Sequence, residues 1–194
     1  MIAGIILAGG LSRRMGGQEK SLMTLGGRPA ISLLIERLAP QVKHLAINAN
    51  GDPERFADEK LPVLADTVQG HVGPLAGVLT GMEWAAEQGA SHVISGASDT
   101  PFIPLDLVER LSESAGDGIA MARSGGRVHP VFGLWPVSLV DDLRHFLVAE
   151  DKRKILEFAK RYELSEVEFD MDDDPFFNIN TPEDLDIARK RLGL

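Results

Sequence analysis

The sequence contains no cysteine. Disulfides, thiolate metal sites and cysteine nucleophiles are therefore excluded together. It also lacks a basic excess: 20 Lys and Arg stand against 29 Asp and Glu, for a net charge of −9. A phosphate backbone demands a basic surface, so no nucleic-acid partner is expected. Small anionic substrates stay open, because a local basic loop can override the overall field. No apolar run is long enough to cross a bilayer. Residues 1–10 are apolar, but they carry no basic leading segment and run straight into Gly9-Gly10. No targeting signal and no membrane partner are expected, and the cytoplasm is the default location. No internal repeat or low-complexity tract stands out. Of the 194 residues, 44% are hydrophobic and 25% charged, enough to bury a core without staples. The length fits one α/β domain over residues 1–194.

Short apolar runs alternate with helical patterns along the chain. Residues 2–7, 44–49, 62–65 and 92–95 read as strands. Residues 29–38, 74–87 and 105–114 read as helices. In the clearest helix, Leu75, Val78, Leu79, Met82, Ala85 and Ala86 repeat at helical spacing; Pro74 suits its first position and Gly89 can end it. This order implies a mostly parallel sheet with helices on both faces. Ligands bind such sheets at the carboxyl ends of the strands, so the loops after Leu7, Asn48, Ala65 and Ser98 should converge. Further on, residues 119–123 and 129–134 read as strands joined through Ser124-Gly125-Gly126-Arg127. Residues 140–148 and 153–162 read as helices and 167–170 as a short strand. Thr181 is an N-cap for the last helix, with Pro182 at its first position.

The Gly-rich loop comes directly after the first strand: Leu7-Ala8-Gly9-Gly10-Leu11-Ser12-Arg13-Arg14-Met15-Gly16-Gly17-Gln18-Glu19-Lys20. Glycines let backbone approach a ligand closely and present N–H groups to phosphate oxygens. Arg13, Arg14 and Lys20 supply the charge a triphosphate demands. The plain alternative is a Gly loop with solvated charges. No G-x-G-x-x-G occurs, and Lys20 follows Glu19 where a Walker A loop has Gly, so neither of those motifs applies. Asp99, in Ser98-Asp99-Thr100-Pro101-Phe102, sits just past a strand end, where a carboxylate can bind Mg²⁺ or merely shape the turn. Asn178 and Asn180, one residue apart, face one way if extended, toward a second metal contact or the acceptor; alternatively they only shape the turn. Asp66, with Gly70-His71-Val72-Gly73-Pro74, suits a nucleoside contact or a solvated loop. His129 reads as a satisfied core histidine, Trp84 and Trp135 as packing residues, and the acidic run 170–174 as a solvated turn.

Together these motifs resemble the molybdenum cofactor guanylyltransferases, the MobA family. The resemblance rests on Leu7-Ala8-Gly9-Gly10-x-Ser12-x-Arg14-Met15-Gly16-x-x-Lys20, which is specific. It extends through Gly73-Pro74-Leu75-Ala76-Gly77, Asp99-Thr100-Pro101-Phe102, His129-Pro130 and Asn178-Ile179-Asn180-Thr181-Pro182-Glu183-Asp184-Leu185, in family order and spacing. It implies a single Rossmann-like domain of the glycosyltransferase-A type. It also implies transfer of GMP from GTP to the phosphate of molybdenum-bound molybdopterin, with release of pyrophosphate. Nucleotide contacts are implied at Leu7, Ala8, Gly9, Gly10, Lys20, Asn48, Asp66 and Asp99, with Asp99 holding Mg²⁺. Partners are implied among proteins that make or accept the molybdenum cofactor. Ser98 stands where the family often has Cys, and Glu19 where it often has Asp; neither supplies the metal ligand or the cation.

The acceptor phosphate is already a good nucleophile, so no strong general base is expected. Repulsion between two anions is the obstacle, and Asp99-held Mg²⁺, Lys20, Arg14 and loop N–H groups should offset it. The nearest rival is the cytidylyl branch, whose matching loop resembles Leu-Ala-Ala-Gly. Gly9 here lacks that second methyl, which favours guanine. Sugar-phosphate and isoprenoid-precursor nucleotidyltransferases share the fold. A silent nucleotide-binding regulator is the non-enzyme alternative.

Overall fold

A computed structural model describes residues 1–9, 24–70 and 73–194. Gly10, Arg13, Arg14 and Lys20 of the Gly-rich loop, and His71, lie outside the described residues. Strands β1 (Ile2–Leu7), β4 (His44–Asn48), β5 (Val63–Leu64), β6 (His92–Ala97), β7 (Ile119–Ser124), β8 (Arg127–Pro136) and β9 (Leu164–Glu168) build one sheet. Its seven strands run in the order β5-β4-β1-β6-β8-β7-β9. The pairs β1/β4, β1/β6, β4/β5 and β7/β9 are parallel, and β8 is antiparallel to both its neighbours. The sheet is mostly parallel, as expected. The antiparallel strand follows from the turn Ser124-Gly125-Gly126-Arg127. Gly125 and Gly126 take φ of 53° and 75°, and such a two-residue turn returns the chain as a hairpin.

Alternation along β1 divides the core. Ala3 and Ile5 pack on one face with Leu75, Val78, Leu79 and Met82 of α2 (Pro74–Glu87). Ile6 faces the other side, with Ile31 and Leu34 of α1 (Ala30–Leu38) and Leu107 and Leu111 of α3 (Leu107–Ala115). Helices α4 (Val140–Val148) and α5 (Ile155–Ala159) join the α2 layer through Phe146 and Phe158. Helix α2 presses close to the sheet because its facing positions are glycine. A Cβ on Gly81 would come within 2.6 Å of Ile5.

Most expected elements stand within a few residues of their expected bounds, with three differences. Residues 153–162 hold only the short α5, because Lys154 is extended and the chain turns again at Arg161, whose N–H meets the Phe158 carbonyl. The strand expected at 167–170 is β9, which begins at Leu164. A small hairpin of β2 (Thr24–Leu25) and β3 (Arg28–Pro29) precedes α1, turned by Gly26 and Gly27 at φ of 60° and 83°. Its Leu25 packs with Ala30, Ile179 and with Ala188 of α6 (Pro182–Arg191). That helix starts with a capping box: Asp184 N–H donates to Thr181 Oγ1, and Thr181 N–H donates to Asp184 Oδ2.

Candidate active site

Strands β4, β1 and β6 end side by side, and their carboxyl-end loops meet as expected. Ala8 N–H donates to the Asn48 carbonyl (2.9 Å), and Ser98 N–H donates to the Leu7 carbonyl (3.2 Å). β1 is a topological switch point, since the chain passes to β4 on one side of it and to β6 on the other.

On the β4 side, Asn48 is buried at 4% exposure and donates through Nδ2 to Asp66 Oδ1 (2.9 Å) and the Leu64 carbonyl (3.1 Å). Asn50 closes the arrangement. Its Nδ2 donates to Asp66 Oδ2 and its Oδ1 accepts from Asp66 N–H, both at 2.9 Å. Both carboxylate oxygens of Asp66 are thus taken by amides, so this group orients its neighbours as well as facing the site. Asn50 was missed in the sequence; the signal was Asn48-Ala49-Asn50, whose period of two puts both amides on one side of a strand end. The room for Asn48 is provided by α2: a Cβ on Gly77 would lie 2.2 Å from Asn48 Oδ1. Gly9 borders the same group, with the space for a Cβ 3.9 Å from the Asn48 carbonyl and Oδ1.

On the β6 side, half-buried Asp99 follows the strand end. Thr100, fully buried, donates through Oγ1 to Asn178 Oδ1 (2.7 Å) and lies 3.2 Å from Asp99 Oδ1. Ile179 N–H donates to the Asp99 carbonyl (2.9 Å). The segment 178–180 therefore sits beside the Asp99 loop. Ile179 is buried, with Asn178 and Asn180 exposed on either side of it. The alternation expected for an extended segment is present, and Thr181, not an asparagine, caps α6. Arg191 ties this corner together. Its guanidinium lies over Phe102 (5.4 Å) and Phe177 (4.6 Å), and Nη1 donates to the Asp174 carbonyl (2.8 Å).

The oxygen donors here, an Asp99 carboxylate with an Asn178 amide nearby, suit a hard divalent cation. No group of three or more His, Cys, Asp or Glu side chains able to hold a metal exists among the described residues. A cation at Asp99 would therefore complete its shell from a substrate's phosphates, the usual arrangement for Mg²⁺.

Beyond β6 the reading of His129 changes, while the acidic run 170–174 is exposed as expected, with Asp174 also tied to Ser124. His129 is half-buried, not in the core. Its Nε2 lies 2.8 Å from Ser124 Oγ, which donates to Asp174 Oδ1 (2.8 Å). Burial lowers the His129 pKa below its ordinary value, against the opposing pull of Asp174. Trp135 is fully buried and donates to Ser95 Oγ (2.9 Å), and Trp84 packs edge-on to His44, so both are packing residues.

Residues 4–167 match the family model of the MobA-like NTP transferase domain. The chain belongs to this family. The molybdenum cofactor guanylyltransferase of Mesorhizobium japonicum is 54% identical, over 98% of this chain and 96% of the relative. The molybdopterin-guanine dinucleotide biosynthesis protein A of Archaeoglobus fulgidus superposes with a TM-score of 0.76 at 25% identity, covering 98% of each chain. A Mycobacterium tuberculosis protein solved in complex with manganese shares the fold at a TM-score of 0.68 and 16% identity, over 97% of this chain and 98% of that one. The fold is the Rossmann-like α/β arrangement that the resemblance implied. No helix among the described residues is long and apolar enough to cross a membrane.

Proposed function

We propose that this chain transfers GMP from GTP to the terminal phosphate of molybdenum-bound molybdopterin, forming the guanine dinucleotide cofactor and releasing pyrophosphate. One observation carries the reading. The Asn48–Asp66 pair beyond β4 and the Asp99 loop beyond β6, tied to Asn178 through Thr100, flank the end of β1 on one sheet edge. The first suits a nucleoside, and the second suits the phosphates and the acceptor. Guanylyltransferase relatives matching almost the full chain supply the identity of base and acceptor.

In the reaction an acceptor phosphate oxygen attacks the α-phosphorus of GTP. The bond from that phosphorus to the bridging oxygen breaks, and pyrophosphate leaves with the electron pair. Because the attacking oxygen is already anionic, no residue needs to remove a proton. The protein's task is to hold two anions together. Leu7, Ala8, Gly9 and Gly10 contribute backbone to the nucleotide, while Asn48 and Asp66 hold the nucleoside. Arg14 and Lys20 neutralise the phosphates. Asp99 would hold Mg²⁺, with Asn178 and Asn180 toward the cation or the acceptor phosphate. The bound cation would supply charge neutralisation on the triphosphate and the leaving pyrophosphate.

Isothermal titration with each nucleoside triphosphate plus Mg²⁺ tests this. Preferential GTP binding is expected. Preference for CTP would move the chain to the cytidylyl branch, and absence of binding to all four would remove the nucleotidyltransferase reading.

A further inference from the structure

A pocket of about 250 Å³ opens at the carboxyl ends of β7 and β9, lined by Ser124, Arg127, His129, Phe169, Asp170 and Asp174 among others. It is smaller than common drug-sized sites, on the order of 300–1,000 Å³, and suits a flat two-ring heterocycle. Its polar wall is directional. A carboxylate only accepts hydrogen bonds. The single hydroxyl proton of Ser124 therefore goes to Asp174 Oδ1, and Ser124 Oγ must accept from His129 Nε2–H. That tautomer makes the His129 Nδ1 an acceptor. Asp174 Oδ1 also takes the Phe176 N–H (3.0 Å), while no side chain or N–H among the described residues donates to Oδ2. Burial keeps His129 in its neutral form near pH 7. The wall thus presents unspent acceptors, and the matching ligand edge is a row of N–H donors.

Position decides which ligand that is. Along the order β4-β1-β6-β8-β7, the pocket at β7 lies four strand spacings from Asn48 on β4, roughly 19 Å at ~4.8 Å each. It lies two spacings, roughly 10 Å, from the strand end that carries Asp99. The segment from Asp174 to Asn178 joins the two places, and its Phe176 packs at a tilt against His129 (4.7 Å) and Phe132 (4.9 Å). A nucleotide with its base at Asn48 and its phosphates at Asp99 leaves this pocket on the acceptor side. We propose that the Ser124–His129–Asp174 pocket binds the amino-pyrimidinone edge of the acceptor's pterin, Asp174 taking its N–H and amino donors, while the acceptor phosphate reaches Asp99. This rests on the guanylyl-transfer reading and names the acceptor end of the same site. Guanine carries the same donor edge, and the test must separate the two.

The full-length chain is titrated with free pterin, followed by its intrinsic fluorescence, and separately with guanosine and with GTP and CTP plus Mg²⁺. The wild type is expected to bind pterin without competition from guanosine. Asp174→Asn and His129→Phe are each expected to weaken pterin binding at least about tenfold with GTP binding within twofold of wild type. Ser124→Ala, which deletes only the bridging hydroxyl, gives a second measure should Asp174→Asn disturb the Phe176 turn; it is expected to weaken pterin binding severalfold. Wild-type protein that ignores pterin, or variants that bind it unchanged, would overturn the proposal. So would guanosine displacing pterin, since the pocket would then read the base of the nucleotide. A chain that binds pterin at this pocket but prefers CTP would sink the guanylyl reading and leave the pocket standing.

Discussion

The two ends of the sheet's carboxyl edge handle polarity in opposite ways. At the β4 end, Asn48, Asn50 and Asp66 use one another: each Asp66 oxygen already accepts from an amide. At the β7 end, Ser124 links His129 to Asp174 and leaves acceptors over. A group saturated by neighbours holds its shape without a ligand, so the β4 end is organised in advance, an arrangement that would favour tight binding of the nucleoside proposed there. Unspent acceptors instead need a partner or water, so the β7 end depends more on what enters it. The two ends meet at Asp99, and substitutions can act on one end or on the junction.

The largest effect is expected at the junction. Asp99→Asn removes the carboxylate assigned to Mg²⁺ and should lower turnover at least ~10²-fold with the fold intact. Near-normal turnover with Mg²⁺ would take Asp99 out of the mechanism. Lys20→Ala comes next. It should weaken GTP binding about tenfold or more and guanosine binding little, because its role lies with phosphate oxygens. Equal losses for both ligands would mean the assignment is wrong. Gly77→Ala strikes the organised end alone. Its methyl collides with Asn48 Oδ1 at 2.2 Å and Leu7 at 2.8 Å, both of which must shift. A stability loss of about 1–3 kcal/mol is expected, with GTP affinity falling while pterin affinity holds. If both affinities fall together, the two ends are not separable. Gly9→Ala is the smallest and sharpest change. Among the described residues its Cβ would meet nothing nearer than 3.9 Å, so these leave room for it. The GTP/CTP ratio of kcat/KM should drop a fewfold toward the cytidylyl pattern. An unchanged ratio would place base choice elsewhere.

The organised end was legible from the sequence, and the other end was not. Ile2–Leu7 and Pro74–Glu87 announce themselves by unbroken apolarity and helical spacing, and strand ends of a parallel sheet converge by topology. Asn48, Asp66 and Asp99 could therefore be picked as residues just past strands. The pocket depends on contacts between residues distant in the chain. His129 meets Asp174 only through Ser124, and the antiparallel β8 brings them together. Seen alone, a histidine in an apolar run reads as core, and an acidic run reads as solvated, which 170–174 is, with no sign that Asp174 also accepts from Ser124. Asn178 joins Asp99 through Thr100, 78 residues away, a link that periodicity could suggest but not specify. The hairpin Thr24–Pro29 was missed although Leu25-Gly26-Gly27-Arg28 carries its turn signal, because its strands are two residues each and have no period to read.

Arg191 has a bearing on how much of the chain each corner needs. Strands β1, β4 and β6 come from the first half of the chain. The Asp99 corner draws on the last helix as well, since the guanidinium that spans Phe102, Phe177 and the Asp174 carbonyl sits at the end of α6. If the proposed sites are right, a chain lacking the last helix would keep the residues assigned to the nucleoside and lose the clasp beside those assigned to transfer.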